Sequence, residues 1–297
     1  MAPPRISVAA LEQPAYAVTH TIDARWLMAF AAGLDDHNPA LFDTRVGVTA
    51  HPLFPVSLEW PAVLALREGP ALGIDAACRG RGVHAEHDLH LFRPLRAGQI
   101  VTSTARAVAL QQRPPGALLT TCIDTHDAAG NLLCQTWHGT LFRGVDCAQP
   151  DVIREAPPER PPLETSPARY LPLEIPLGAA HRYTECARIY NPIHTDIAVA
   201  EAAGLPGTIL HGTATLGRAL SRMVGACLDE DGSRVQRIAC RFSGTVRMPE
   251  TLVLRVSEPQ DQHFAFSVWS STGQEVLRHG LVSFAAVPQS IRGEHRE

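Results

Sequence analysis

The sequence predicts an α+β layered fold in two tandem halves, each with a curved antiparallel sheet wrapped around a central helix. The 297 residues are enough for two domains of about 150 residues each. A Pro-rich segment near the middle excludes a regular helix or central strand. On either side of it the same order recurs: a short helix, an Asn-Pro loop, a longer helix, then alternating strands. We therefore predict an N-terminal domain over 1–147, a linker over 148–172 and a C-terminal domain over 173–297.

In the first half, the longer helix falls on HPLFPVSLEWPAVLAL, residues 51–66. It contains Pro52, Pro55 and Pro61, and each interior proline costs about 3 kcal/mol, so we predict a short, kinked or displaced helix. Strand-like runs follow over 89–110 and 117–142, and the second is divided by a polar turn at 127–130.

The second half has the better helix, beginning near Thr213. Its apolar residues recur at helical spacing, which predicts a face buried under a sheet: Leu216, Leu220, Met223, Val224 and Cys227. Alternating runs over 237–258 and 263–284 follow, with a turn at 271–273 in the second. Two tandem copies favour a pseudo-dimer within one chain.

Composition excludes several function classes. The formal net charge of −4 gives no general attraction to nucleic acid or to an anionic membrane. There is no run of about 20 apolar residues and no secretion signal at the start of the sequence. The seven cysteines form no CxxC pair, so we expect reduced thiols in a cytoplasmic protein, without a disulfide framework or structural zinc site.

One stretch carries a resemblance to a known family. YNPIHTDIAVAEAAGLPGTILHGTATLG, residues 190–217, resembles the signature of MaoC-like, (R)-specific enoyl-CoA hydratases and dehydratases. The matching residues are Asn191, Pro192, Ile193, His194, His211, Gly212 and Thr215. The first half echoes this signature in LDDHNPALF and VTAH, so the resemblance covers essentially the whole chain. It implies a tandem, or double, hotdog fold.

The resemblance also implies a reaction: reversible addition of water to the 2,3 double bond of an enoyl thioester. The carrier would be CoA or an acyl-carrier protein, with no further cofactor and no metal. By position, His194 would be the acid/base and the Gly212 N–H would receive the negative charge of the thioester oxygen, while Asn191 would orient the loop. Ile189, however, occupies the place of the family's catalytic Asp.

An isoleucine can neither accept a proton nor hold a water. Three carboxylates could replace the missing Asp: Asp196, Glu185 and, from the first half, Asp36, which aligns with Ile189. Asp196 also fits a plain helix-capping role, and Asp36 fits a loop or capping carboxylate. Alternatively His194 and Gly212 act alone, or the site only binds a thioester.

The phosphates of a CoA carrier call for positive charge, and the candidates are Arg218, Arg222, Arg241 and Arg247. Two rival functions remain. One is a degenerate thioester-binding or partner subunit, for which Ile189 is the best argument. The other is a hotdog thioesterase, which would need a carboxylate by the central helix, where 213–228 has none. Homodimers or heteromeric hotdog pairs are possible partners.

The segment HAEHDLH places His84, His87 and His90 three residues apart. Successive residues of a strand alternate between its faces. We therefore predict that His84 and His90 face one side and His87 the other, which disfavours a shared metal.

Overall fold

The computed structural model describes residues 3–286, so the predicted domain ends at 1–2 and 287–297 lie outside the described residues. The first half contains three α-helices and seven strands: β1 (Arg5–Ile6), β2 (Tyr16–Thr21), α1 (Ala24–Gly33), α2 (Pro55–Glu68), α3 (Ala76–Arg79), β3 (Gly82–Leu91), β4 (Ile100–Arg113), β5 (Gly116–Asp127), β6 (Leu132–Arg143) and β7 (Asp146–Cys147).

A short strand in the connecting segment and the second half complete the chain: β8 (Val152–Ile153), β9 (Pro167–Ile175), α4 (Ala179–Ala187), α5 (Ile197–Ala202), α6 (Gly212–Cys227), β10 (Val235–Phe242), β11 (Glu250–Ser257), β12 (His263–Trp269) and β13 (Glu275–Phe284). Both predicted hairpin turns are confirmed, since β5–β6 and β12–β13 pair antiparallel around them.

The two halves share one sheet. Its strand order is β2-β4-β5-β6-β3-β10-β13-β12-β11-β9, with β8 added on β4. The halves meet where β3 pairs antiparallel with β10. At this junction the Arg237 guanidinium binds both carboxylate oxygens of Asp88, at 2.8 and 2.9 Å. Among the described residues this is where the main strands of the halves pair, and the buried bidentate pair favours this register.

The helix α6 lies buried under the sheet, as its spacing predicts. Leu216, Leu220 and Met223 are each at most 1% exposed. The prediction of a short first-half helix is wrong, because α2 runs for 14 residues against 16 in α6. Pro52 precedes the helix and Pro55 occupies its first turn, where no N–H partner is needed. Only Pro61 is truly interior.

The Pro-rich segment is less uniform than predicted. Strand β9 begins at Pro167, inside the predicted linker, and it pairs only with β11. It is therefore an edge strand, the position in a sheet that tolerates prolines. Among the described residues, no helix is long and apolar enough to cross a bilayer.

Candidate active site

A cavity of about 830 Å³ opens between the two halves. From the first half it is lined by α2, β3 and β6. From the second half it is lined by the Asn-Pro loop, the start of α6, and β10 and β13. His194 and Gly212 both lie on its wall, which is the condition that the predicted chemistry requires.

The Asn-Pro loop fixes the orientation of His194. The His194 N–H donates to the Asn191 carbonyl at 3.1 Å, closing a short 3₁₀ turn after Pro192. The ring lies 2.8 Å from the Ile209 carbonyl through Nδ1, and since a carbonyl only accepts, Nδ1 carries the proton. Nε2 is therefore the acceptor nitrogen, and the side chain borders the cavity. This is the tautomer that a general base needs.

Burial lowers the pKa of His194 to about 4, and the Ile209 carbonyl opposes this effect only in part. His211 stacks on His194 with ring centroids 3.6 Å apart, and its Nε2 lies 3.1 Å from the Thr184 hydroxyl. Burial, with His194 as the next cause, also holds the pKa of His211 well below its usual value. Both imidazoles are therefore neutral near pH 7, so the acceptor Nε2 of His194 is free to take a proton, although the low pKa makes it a weak base.

Gly212 is the first residue of α6, and its N–H points out of the helix start. Among residues 3–286, neither this N–H nor that of Thr213 has a hydrogen-bond acceptor. A Cβ at Gly212 would come within 2.7 Å of the Phe242 ring, so glycine is needed for this close approach. Two free amides at the start of a 16-residue helix form an anion-stabilising site.

Ile189 lies on the same wall and is 5% exposed. Its side chain also belongs to the main hydrophobic core. The place where the resemblance expects a carboxylate is thus apolar.

Comparisons with known proteins bear on the fold and on the relatives of this chain. The family model of the MaoC-like domain matches residues 161–278, and that of the FAS1-like dehydratase domain region matches residues 13–136. The resemblance to MaoC-like dehydratases is confirmed, with the MaoC-like domain in the second half.

Among curated relatives, the chain is 28% identical over 185 residues to peroxisomal enoyl-CoA hydratase 2 of Arabidopsis thaliana, covering 58% of this chain and 58% of that protein. It is 25% identical over 292 residues to peroxisomal multifunctional enzyme type 2 of Mus musculus, covering 93% of this chain and 38% of that protein. The chain thus spans less than two thirds of the length of these relatives.

Among solved structures, a MaoC-like dehydratase from Phytophthora capsici superposes with a TM-score of 0.81 at 21% identity, covering 93% of this chain and 97% of that one. A Mycobacterium tuberculosis protein described as having a double hotdog fold superposes with a TM-score of 0.59 at 12% identity, covering 91% and 94%. The predicted double hotdog fold is confirmed.

The cavity wall contains none of the three proposed replacement carboxylates. Asp196 caps α5 by accepting from the N–H groups of Ala198 and Val199, at 2.9 and 3.2 Å. Glu185 lies on the exposed face of α4. Asp36 lines a separate cavity of about 90 Å³. Its Oδ2 lies 3.8 Å from Nε2 of His51. The capping alternative for Asp196 is therefore correct.

Of the four predicted carrier-binding arginines, only Arg241 lines the cavity. Arg218 is buried and bound to Asp35 at 2.6 Å, while Arg222 and Arg247 are exposed elsewhere. Sequence reasoning missed other arginines on the cavity wall: Arg67, Arg81, Arg113, Arg143 and Arg278. They lie on α2, just before β3, at the ends of β4 and β6 and within β13, which are distant in sequence, so no local run revealed them.

Glu59 is a second residue that sequence reasoning missed. It lies on α2, borders the cavity and is 3% exposed. Burial raises its pKa to about 8, although the Thr136 hydroxyl donates to Oε1 at 2.7 Å. The thioesterase interpretation required a carboxylate on or beside the central helix of the second half. Glu59 is a carboxyl on a central helix, but on that of the first half. Near pH 7 it is mostly protonated and thus a poor base.

The predicted separation of His84 and His87 is wrong. A β-bulge at Ala85 shifts the register of β3 against β6, pairing His84 with Thr140 and His87 with His138. The extra residue reverses the alternation, so His84 and His87 both face the cavity beside His138.

Proposed function

We propose that this protein is an acyl-thioester hydratase or dehydratase, which adds water reversibly to the 2,3 double bond of an enoyl-CoA or enoyl-carrier substrate. One observation carries the proposal: a neutral His194 and the free Gly212 amide border one cavity large enough for an acyl chain. The match of the second half to the MaoC-like domain model and the similarity to an enoyl-CoA hydratase support it.

In the hydration direction, His194 Nε2 removes a proton from a water molecule as the water oxygen bonds to Cβ of the substrate. The electron pair of the double bond moves toward the thioester, whose oxygen becomes negative. The Gly212 and Thr213 N–H groups at the start of α6 stabilise that oxygen. The protonated His194 then delivers its proton to Cα, which restores the neutral imidazole and completes the addition.

The water needs a second contact, because the family's carboxylate is replaced by Ile189. We infer that Asn191 supplies it. Its carbonyl already holds the His194 turn, and its side chain makes no capping bond and borders the cavity. An amide can hold a water but cannot accept its proton, so His194 performs both transfers. A single positioned acid/base is worth about 10²–10⁴-fold in rate.

The carrier phosphates would bind at the arginine-rich part of the wall. Arg81, Arg143 and Arg278 are exposed there, and none forms an ion pair within the described part of the chain. Free guanidinium groups suit phosphate oxygens. No cofactor beyond the thioester carrier is required by this scheme. We also propose a reducing, cytoplasmic setting, because all seven cysteines are unpaired.

We further propose that the cavity accepts medium or branched acyl chains, because the side of α2 bearing Val56, Trp60 and Val63 forms part of its wall. Rates across a chain-length series test this point. A preference for crotonyl-type short chains alone would contradict it.

The enzyme is tested by following loss of the conjugated enoyl-thioester absorbance with wild type, His194→Ala and Asn191→Ala. We expect His194→Ala to reduce kcat/KM by at least about 100-fold and Asn191→Ala by a smaller factor. A wild-type hydration rate at background, with the same rate in His194→Ala, would refute the proposed enzymatic function.

A second candidate is a thioester-binding subunit without catalysis, which the apolar Ile189 favours. It predicts saturable binding of a non-hydrolysable acyl-CoA by a protein that shows no hydration of the enoyl-CoA.

A further inference from the structure

His84, His87 and His138 form a cluster apart from the proposed catalytic groups. Their side chains offer ligand nitrogens that all lie within 4.8 Å of one another. His84 and His87 come from β3, and His138 lies directly opposite His87 on β6. The bulge at Ala85 is what brings the first two to the same face.

Two of these imidazoles, His84 and His87, lack hydrogen bonds that buried histidines normally make. In the described chain, neither ring nitrogen of His87 has a partner, and the same holds for His84 Nε2, although all three atoms are buried. Each buried polar atom left unpaired costs about 1–3 kcal/mol. A cluster that retains several such atoms therefore calls for a ligand.

The protonation state also suits a metal, because a metal binds neutral imidazole. Burial lowers the pKa of His87 to about 4 and that of His138 to about 3, and it holds the pKa of His84 well below its usual value.

We propose that His84, His87 and His138 bind a divalent transition metal, preferentially Zn²⁺, in the wall of the cavity. Three histidines with a fourth position left open are typical of zinc sites that bind water or substrate. Bonds of about 2.0–2.1 Å place tetrahedral ligands roughly 3.4 Å apart. The His84 and His138 rings, which stack with centroids 3.7 Å apart, must therefore rotate out of this stack when the ion binds. The open position faces the cavity, because all three residues line it.

The site adjoins the proposed catalytic groups without belonging to them. The His84 ring lies 4.5 Å from the Phe242 ring, which in turn packs against Gly212. The Phe242 ring would thus separate a bound metal from the Gly212 N–H. The cation of Arg67 lowers the pKa of His138 and would also oppose a bare dication, which favours an oxygen-donor or anionic fourth ligand. Water or an oxygen-bearing group of the acyl chain fits this position.

The test uses untagged, reduced and chelator-treated protein, titrated calorimetrically with Zn²⁺. We expect one ion per chain. Co²⁺ should give the visible absorption bands of a tetrahedral or five-coordinate site, with nitrogen ligands and no thiolate charge-transfer band. A wild type that takes up no stoichiometric metal, or a Co²⁺ spectrum with thiolate bands, would overturn the proposal.

Variants locate the site. His87→Gln and His138→Gln should each weaken Zn²⁺ binding by about 100-fold or more. His126→Gln, on neighbouring β5 and outside the cluster, should bind as wild type does. Equal affinity in His87→Gln and wild type would assign the metal elsewhere. Should one variant fail to fold, the other and the wild-type Co²⁺ spectrum still decide.

Discussion

The pH dependence of hydration tests the assignment of His194 as the single acid/base. The perturbation is a shift from pH 7.5 to pH 5.5. A histidine with the ordinary pKa of 6.5 would fall from about 91% to about 9% neutral, a tenfold loss of base. Burial lowers the pKa of His194 to about 4, so it stays about 97% neutral at pH 5.5.

The assay is kcat/KM for an enoyl-CoA, measured between pH 5.5 and 7.5 in buffers of constant ionic strength. We expect the protonation of His194 to change kcat/KM by less than twofold over this pH range. A tenfold fall with a midpoint near pH 6.5 would refute the assignment, because it would show a solvated histidine as the base.

One control is essential for this assay. His194, His211, His51 and the cluster histidines are buried and neutral, so the unfolded chain binds more protons than the folded one below pH 6.5. Stability is therefore lost as pH falls through 6.5 toward 4. Tryptophan fluorescence must show the folded state at each pH, and rates are taken before any slow unfolding.

Three further predictions follow from the structure. Ile189→Asp restores a carboxylate to the cavity wall. Because Asn191 only partly replaces the function of that carboxylate, the variant should raise kcat/KM for hydration at least about tenfold. A folded Ile189→Asp variant no faster than Ile189→Asn would contradict this. Glu59 has a folded pKa near 8 against 4.5 unfolded, so its contribution to stability is lost as pH rises from 4.5 to 8, by up to about 5 kcal/mol. Urea unfolding of Glu59→Gln should therefore show a weaker decline in stability between pH 5 and 8, and parallel curves for both proteins would refute it. Asp88→Asn strips the buried Arg237 of its charge partner and should cost about 3–5 kcal/mol; urea midpoints within error of wild type would refute this.

The sequence determined the local features well. The spacing of Leu216, Leu220 and Met223 fixed the buried face of α6, and the polar turns fixed the hairpins. The Asn-Pro-Ile-His motif and His211-Gly212 located two groups that the structure brings to one cavity. These features depend on residues close together in the chain, whose propensities act through neighbours.

Tertiary structure decided the rest. The pairing of β3 with β10 joins the halves, and a one-residue bulge in β3 reverses which face His84 and His87 share. Burial in the folded chain, and not residue type, raises the pKa of Glu59 and lowers that of His194. Arg218, predicted to bind a carrier, instead reaches Asp35 in the first half. Register between strands and desolvation inside a cavity depend on groups brought together from distant parts of the chain, so local pattern determines neither.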